Sequence, residues 1–171
     1  MFTPRSQALL NAMTSRVVVA DGAMGTMIQA AGPSLADFQN HEGCNEILNI
    51  TRPEVIGEIH ERYLLAGSEA IETNTFGANF ANLAEYGIEE RIEELAFAGA
   101  KIAREAADKH STDESPKWVL GSVGPGTKLP SLGHAPFALL RDAYQTSVRG
   151  LILGGSDAIL IETAQDLLQA K

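Results

Sequence analysis

Four short apolar runs punctuate the chain, at residues 16–20 (RVVVA), 70–73 (AIET), 118–122 (WVLGS) and 158–162 (AILIE). Continuous, β-branched runs of this length predict strands covered on both faces, as in parallel sheets. The segments between them carry a helical period instead. Thr51 and Glu54 have the spacing of a capping box, Ile50 and Val55 that of a hydrophobic staple, and Pro53 suits a first turn. Val55, Ile56, Ile59 and Tyr63 then recur on one face up to Gly67, a natural stop. A second helix is predicted over residues 88–108, with Ile88, Ile92, Leu95 and Ile102 inward and Gly99 on the same stripe, where it allows close backbone approach. A third opens near Pro136, carries Phe137, Leu140, Tyr144, Val148 and Leu151, and ends at Gly154-Gly155.

With a leading helix ahead of the first strand and another helix beginning over residues 166–171, strands and helices alternate throughout. That order predicts an α/β fold of parallel βα units with right-handed crossovers. A closed (βα)8 barrel takes eight strands and about 250 residues, so four strands amount to about its first half. Residues 1–171 therefore read as one partial domain. The tripeptides Ile71-Glu72-Thr73 and Ile161-Glu162-Thr163 end two of the strands in the same way.

Composition narrows the partners. The 171 residues are 44% hydrophobic and 20% charged, and 13 basic against 22 acidic residues leave a net charge of −9. Such a balance repels nucleic acid and anionic lipid surfaces. Residues 1–16 lack the apolar core of a signal peptide, and no stretch approaches the roughly 20 apolar residues of a membrane span, so a cytoplasmic protein is expected. Cys44 is the single cysteine, which excludes an internal disulfide, and with His41, His60, His110 and His134 scattered no metal cluster is legible.

Chemistry in α/β folds gathers at the carboxyl ends of the strands. Those ends here present Asp21-Gly22, Glu72-Thr73-Asn74-Thr75, Ser122 to Gly126, and Glu162-Thr163. Two or three carboxylates beside glycines that free backbone amides suit a zwitterion such as an amino acid. The residues leave other readings open. Asp21 can equally cap a helix or a turn, Glu162 can bond a neighbouring loop, and the glycines of GSVGPG can simply allow a tight turn. Cys44 reads as a packed thiol and His134 as a solvated histidine. A phosphate loop fits neither DGAMGT, which lacks the required spacing and a Walker lysine, nor GSVGPG, where Pro125 removes a donor.

The stretches DGAMGTMIQ (21–29), GCNEILNITRPEVIGEIHERYLLAGSEAIETNTFGAN (43–79), GSVGPGTKLPSLG (121–133) and DAILIETAQDL (157–167) together resemble the N-terminal homocysteine-binding module of cobalamin-dependent methionine synthases. More loosely they resemble the wider homocysteine S-methyltransferase family. The resemblance implies a (βα)8 barrel binding homocysteine at its C-terminal mouth, a zinc ion that favours the substrate thiolate, and methyl transfer from methylcobalamin reloaded by downstream folate and cobalamin modules. It places the substrate ammonium on Asp21 and Glu162 and the carboxylate on amides around Gly22 and Ala23, with Asn74, Thr75 and Ser122 at the same mouth. The family's three zinc cysteines have no counterpart here, and Cys44 matches none of them. The chain is therefore expected to hold no metal or cofactor by itself and to be catalytically inactive alone. Two other readings remain: a self-contained doubly wound module gripping a divalent cation, and a half-barrel that forms a homodimer through its open edges.

Overall fold

The computed structural model describes residues 3–171. In chain order the elements are α1 (Pro4–Ser15), α2 (Met24–Ala31), α3 (Leu48–Thr51), α4 (Pro53–Leu65), β1 (Ala70–Glu72), α5 (Phe80–Leu83), α6 (Ile92–His110), β2 (Trp118–Val123), α7 (Phe137–Gly154), β3 (Ala158–Ile161) and α8 (Leu167–Ala170). The strands form one parallel sheet in the order β1-β2-β3, with Ala70 opposite Trp118 and Leu120 opposite Ala158. Each crossover adds its strand on the same side of the last, with no reversal of order. This is how a barrel is wound, and it corrects the doubly wound alternative, which needs a switch point.

The first expected strand, residues 16–20, is reduced to a single parallel bridge between Ala20 and Ala70. Its ladder is short because the Val19 amide donates to the Glu69 carboxylate at 3.2 Å instead of to a neighbouring strand. Val18 packs into a cluster with Leu9, Ala70 and Trp118, whereas Val17 and Val19 are 82% and 53% exposed. Coverage of both faces holds for β1 and β2 but fails at β3, whose Ile161 is 56% exposed. Apolar surface is thus left bare on both flanks of the sheet.

The capping box is not formed. Thr51 is the last residue of α3, and its hydroxyl donates to the carbonyls of Asp37 (2.6 Å) and Ile47 (3.3 Å), while Glu54 pairs with Arg52. Ile50 is exposed, so the staple is absent too. The inward stripe Val55, Ile56 and Ile59 is buried as the period predicts, and Gly67 follows the end of α4 with φ +111. In α6, Ile92 and Leu95 are buried, and Ile88 precedes the helix by one 3-10 turn. Helix α7 packs so closely on α6 that a Cβ at Gly154 would lie 2.6 Å from the Phe97 carbonyl oxygen.

The amino-terminal end of the sheet is closed by an ionic knot. Buried Asp157 accepts from Arg5 Nε (2.9 Å), Arg104 Nη1 (2.8 Å) and the Val119 amide (2.9 Å), and Ser6 Oγ donates to its carbonyl at 2.7 Å. It joins α1, α6, β2 and the segment before β3. Removing one partner of a buried pair strands the other's charge. Asp157→Ala should lower unfolding free energy by about 3 to 5 kcal/mol in urea titrations, and a loss under 1 kcal/mol would refute the role given to this knot.

Candidate functional site

The carboxyl ends of the strands open into a cavity of about 600 Å³. Gly22, Ala23, Asn74, Thr75, Ser122 and Glu162 all line it. Asp21 does not reach the wall; both its oxygens accept from the Glu72 amide, at 3.0 and 3.1 Å, just behind it. Glu46, Glu72 and Glu85 also line the cavity, and among the described residues no lysine, arginine or histidine does.

The wall is held by hydroxyls that extend the β1–β2 pairing past the end of β1. The Ser122 amide donates to Thr73 Oγ1 at 3.0 Å, and Thr75 Oγ1 donates to the Ser122 carbonyl at 2.8 Å. The two threonine hydroxyls are 2.6 Å apart. Because Thr75 has already given its proton to the carbonyl, Thr73 is the donor between them. Ser122 Oγ donates to Glu162 Oε1. Ser122 and Thr75 are therefore committed to protein partners, which orient Glu162.

Asn74 is committed likewise. Its Nδ2 donates to the Asn45 carbonyl (2.8 Å) and to Asn49 Oδ1 (3.0 Å), and Asn49 Nδ2 returns a bond to the Asn74 carbonyl at 2.8 Å. Gly99 makes this pairing possible, since a Cβ there would stand 2.6 Å from Thr75 Cγ2 and 2.7 Å from Asn49 Nδ2. Its close approach serves these two side chains at the site, where the sequence pattern suggested backbone contact with the sheet.

Backbone amides face the acids across the mouth. Helix α2 starts at Met24 with no side-chain cap, and the N–H groups of Gly22 and Ala23 donate to no other described residue. Helix N-termini and free amides of this kind attract a carboxylate. The Tyr63 hydroxyl donates to the Ala23 carbonyl at 3.0 Å and steadies the turn. In GSVGPG, Gly124 is required by close approach rather than by phosphate, because its Cβ would lie 2.5 Å from the Phe76 carbonyl oxygen. Thr163 directly follows Glu162 with φ +57, a conformation strained for a β-branched residue.

Burial pushes the Asp21 carboxyl up to about 7, against the pull of the Glu72 amide, and the neighbouring Glu72 and Glu162 charges add to the rise. Glu72 is raised by burial and then by Glu162. Glu46 is raised by burial alone; it accepts from the Gly77 amide at 2.7 Å and sits 3.7 Å from the Cys44 thiol. Asn45 and Glu46 were not singled out from the sequence. The signal available was an acid inside the apolar run CNEIL, between the loop cysteine and the capped-helix pattern.

The residues present do not fit the three-cysteine zinc set. Cys44 lies outside the cavity wall, and burial followed by the Glu46 charge raises its thiol to about 12, so it stays protonated. Among the described residues no group of three His, Cys, Asp or Glu side chains is placed to hold a metal ion. His134 is exposed, and its Nδ1 accepts from the Leu129 amide within its own turn. No described helix is long and apolar enough to cross a membrane.

A family model described as homocysteine S-methyltransferase matches residues 18–171. The chain is 55% identical over 163 residues to the methionine synthase of Mycobacterium tuberculosis (strain ATCC 25618 / H37Rv), which covers 95% of this chain and 14% of that protein. It is 53% identical to the methionine synthase of Mycobacterium leprae (strain TN), with the same coverage. The chain thus spans about 14% of the length of these curated relatives. Among solved structures, the metallated form of the homocysteine methyltransferase MmuM from Escherichia coli superposes with a TM-score of 0.75 at 25% identity, covering 96% of this chain and 59% of that one.

The raised Asp21 carboxyl fixes a sign for pH dependence. A carboxyl whose folded pKa lies above its unfolded value near 3.8 stabilises the fold fully only below that value, and the contribution is lost as pH rises through about 7. The ligand-free protein should therefore lose thermal stability between about pH 4 and pH 7, and Asp21→Asn should flatten that decline. Parallel melting curves for the two proteins would contradict the assignment.

Proposed function

The chain belongs to the homocysteine S-methyltransferase family, and from that membership we propose that its cavity binds homocysteine for methyl transfer to the substrate sulfur in a methionine synthase. One observation carries this reading: Glu72 and Glu162, at the ends of two strands, line the same cavity as Gly22 and Ala23, whose amides are unengaged, and no basic side chain among the described residues lines it. Glu162 on the wall and Asp21 just behind it take the ammonium, and the amides of Gly22 and Ala23 take the carboxylate. Ser122 holds Glu162 toward the ligand.

On this reading the residues described here do the work of binding and orientation. They hold the amino-acid end of the substrate so that its thiol projects from the mouth, which lowers the entropic cost of meeting a methyl donor. Activation of the thiol by zinc and supply of the methyl group from cobalamin, with the folate chemistry that reloads it, are assigned to parts of the longer proteins beyond this chain. We accordingly assign the 171 residues the first half of a homocysteine barrel, inactive in methyl transfer alone. The bare valines beside β1 and the exposed Ile161 of β3 are on this reading where the remaining strands close the barrel; a second copy pairing there is the other way to cover them.

Calorimetric titration of the protein with homocysteine tests the clamp. Asp21→Asn and Glu162→Gln should each weaken binding by about 1 to 3 kcal/mol, the range for a hydrogen bond to a charged group. Affinity in the unsubstituted protein should also rise as pH passes through about 7, where Asp21 ionises. Unchanged affinity in both variants would sink the proposal.

A further inference from the structure

Glu72 ends β1 and lines the cavity, and the reading above gives it no task. The sheet places it with care. Ile71 is fully buried among Leu64, Ala103 and Val119 beneath the helices, so Glu72 stands on the opposite face of the strand, toward the mouth. The Asp21 carboxylate holds the Glu72 amide, fixing the strand end from behind.

The other acids at this wall or just behind it are engaged. Asp21 accepts from that amide, Glu162 from the Ser122 hydroxyl, Glu46 from the Gly77 amide and Glu85 from the Thr127 hydroxyl at 3.0 Å. The Glu72 carboxylate, half-buried, has no hydrogen bond and no ion pair among the described residues. A half-buried acid beside two others, without a cation, is relieved by taking up a proton or by a ligand of opposite charge.

We infer that Glu72 is a specificity-determining residue that accepts the third N–H of the substrate's primary ammonium group. The inference rests on the homocysteine reading and extends it. A primary ammonium carries three donors, and away from water each needs an acceptor. Glu72 and Glu162 offer carboxylates from the wall and Asp21 one from just behind it, while β2 contributes the serine that steers Glu162. The repeated Ile-Glu-Thr at the ends of β1 and β3 gives the two glutamates equivalent places on their strands. A ligand of the same length without the amino group would leave the three charges uncompensated.

The test is calorimetry of the protein with homocysteine and with 4-sulfanylbutanoate, the same molecule lacking its amino group. Wild type should prefer homocysteine. Glu72→Gln, which keeps shape and removes charge, should weaken homocysteine about 10- to 100-fold, leave 4-sulfanylbutanoate unchanged or tighter, and raise the melting temperature of the ligand-free protein. If that variant does not fold, Glu72→Asp keeps the charge but withdraws it by one methylene, and should narrow the same preference. Equal loss of both ligands would show a merely structural residue and overturn the inference. Full homocysteine affinity in Glu72→Gln, with Glu162→Gln impaired, would overturn it while leaving the two-acid clamp intact. A wild type that does not distinguish the two ligands would overturn the clamp and this inference together.

Discussion

The mouth of this sheet depends on the hydroxyl chain Thr73–Thr75–Ser122. Parallel ladders stop where the strands diverge, and the backbone groups beyond that point need other partners or water. Here the Ser122 amide and carbonyl are both taken by threonine side chains of the segment after β1. The pairing of β1 with β2 is thereby carried past Glu72 up to Ser122, and Ser122 keeps its hydroxyl for Glu162. The Asn49–Asn74 pair extends the lock to α3, with Gly99 of α6 giving it room. Rigid support of this kind is what a binding site needs from its surroundings.

The two ends of the sheet treat charge in opposite ways. At the amino-terminal end, the buried Asp157 carboxylate accepts from two arginines and an amide, while a serine hydroxyl donates to its carbonyl. At the carboxyl end, Asp21, Glu72 and Glu162 crowd together without a base, and burial with mutual repulsion raises the first two. The first arrangement stabilises the fold, and the second costs stability until a cation arrives. The left-handed Thr163 beside Glu162 adds strain of about 1 to 3 kcal/mol at the same end. That division matches the separation of stability and chemistry between the two faces of (βα) barrels.

Much of the architecture was legible in the sequence because its signals are periodic. The three strands appeared within a residue of their predicted bounds, and the apolar stripes of α4, α6 and α7 turned inward except at Phe137, which is exposed at the start of α7. Local motifs fared worse where a distant group competed. The Thr51 hydroxyl is captured by the Asp37 carbonyl, a loop residue that no spacing rule could place there. The Val19 amide is captured by Glu69, so the first strand shrinks to a bridge. Helix α2 was missed because its eight residues, MGTMIQAA, offer neither a cap nor a charged face.

Sequence alone determined the parallel βα order, the set of acids and glycines at the strand ends, and the family, because these are fixed by which residues occur and how they are spaced. Only the tertiary structure decided what each polar group does. It drew Asp21 behind the wall onto the Glu72 amide, committed Asn74, Thr75 and Ser122 to protein partners, and left Glu72 facing the cavity unpaired. The physical reason is that a hydrogen bond goes to whichever partner folding brings within about 3 Å, and those partners here lie 25 to 51 residues apart along the chain.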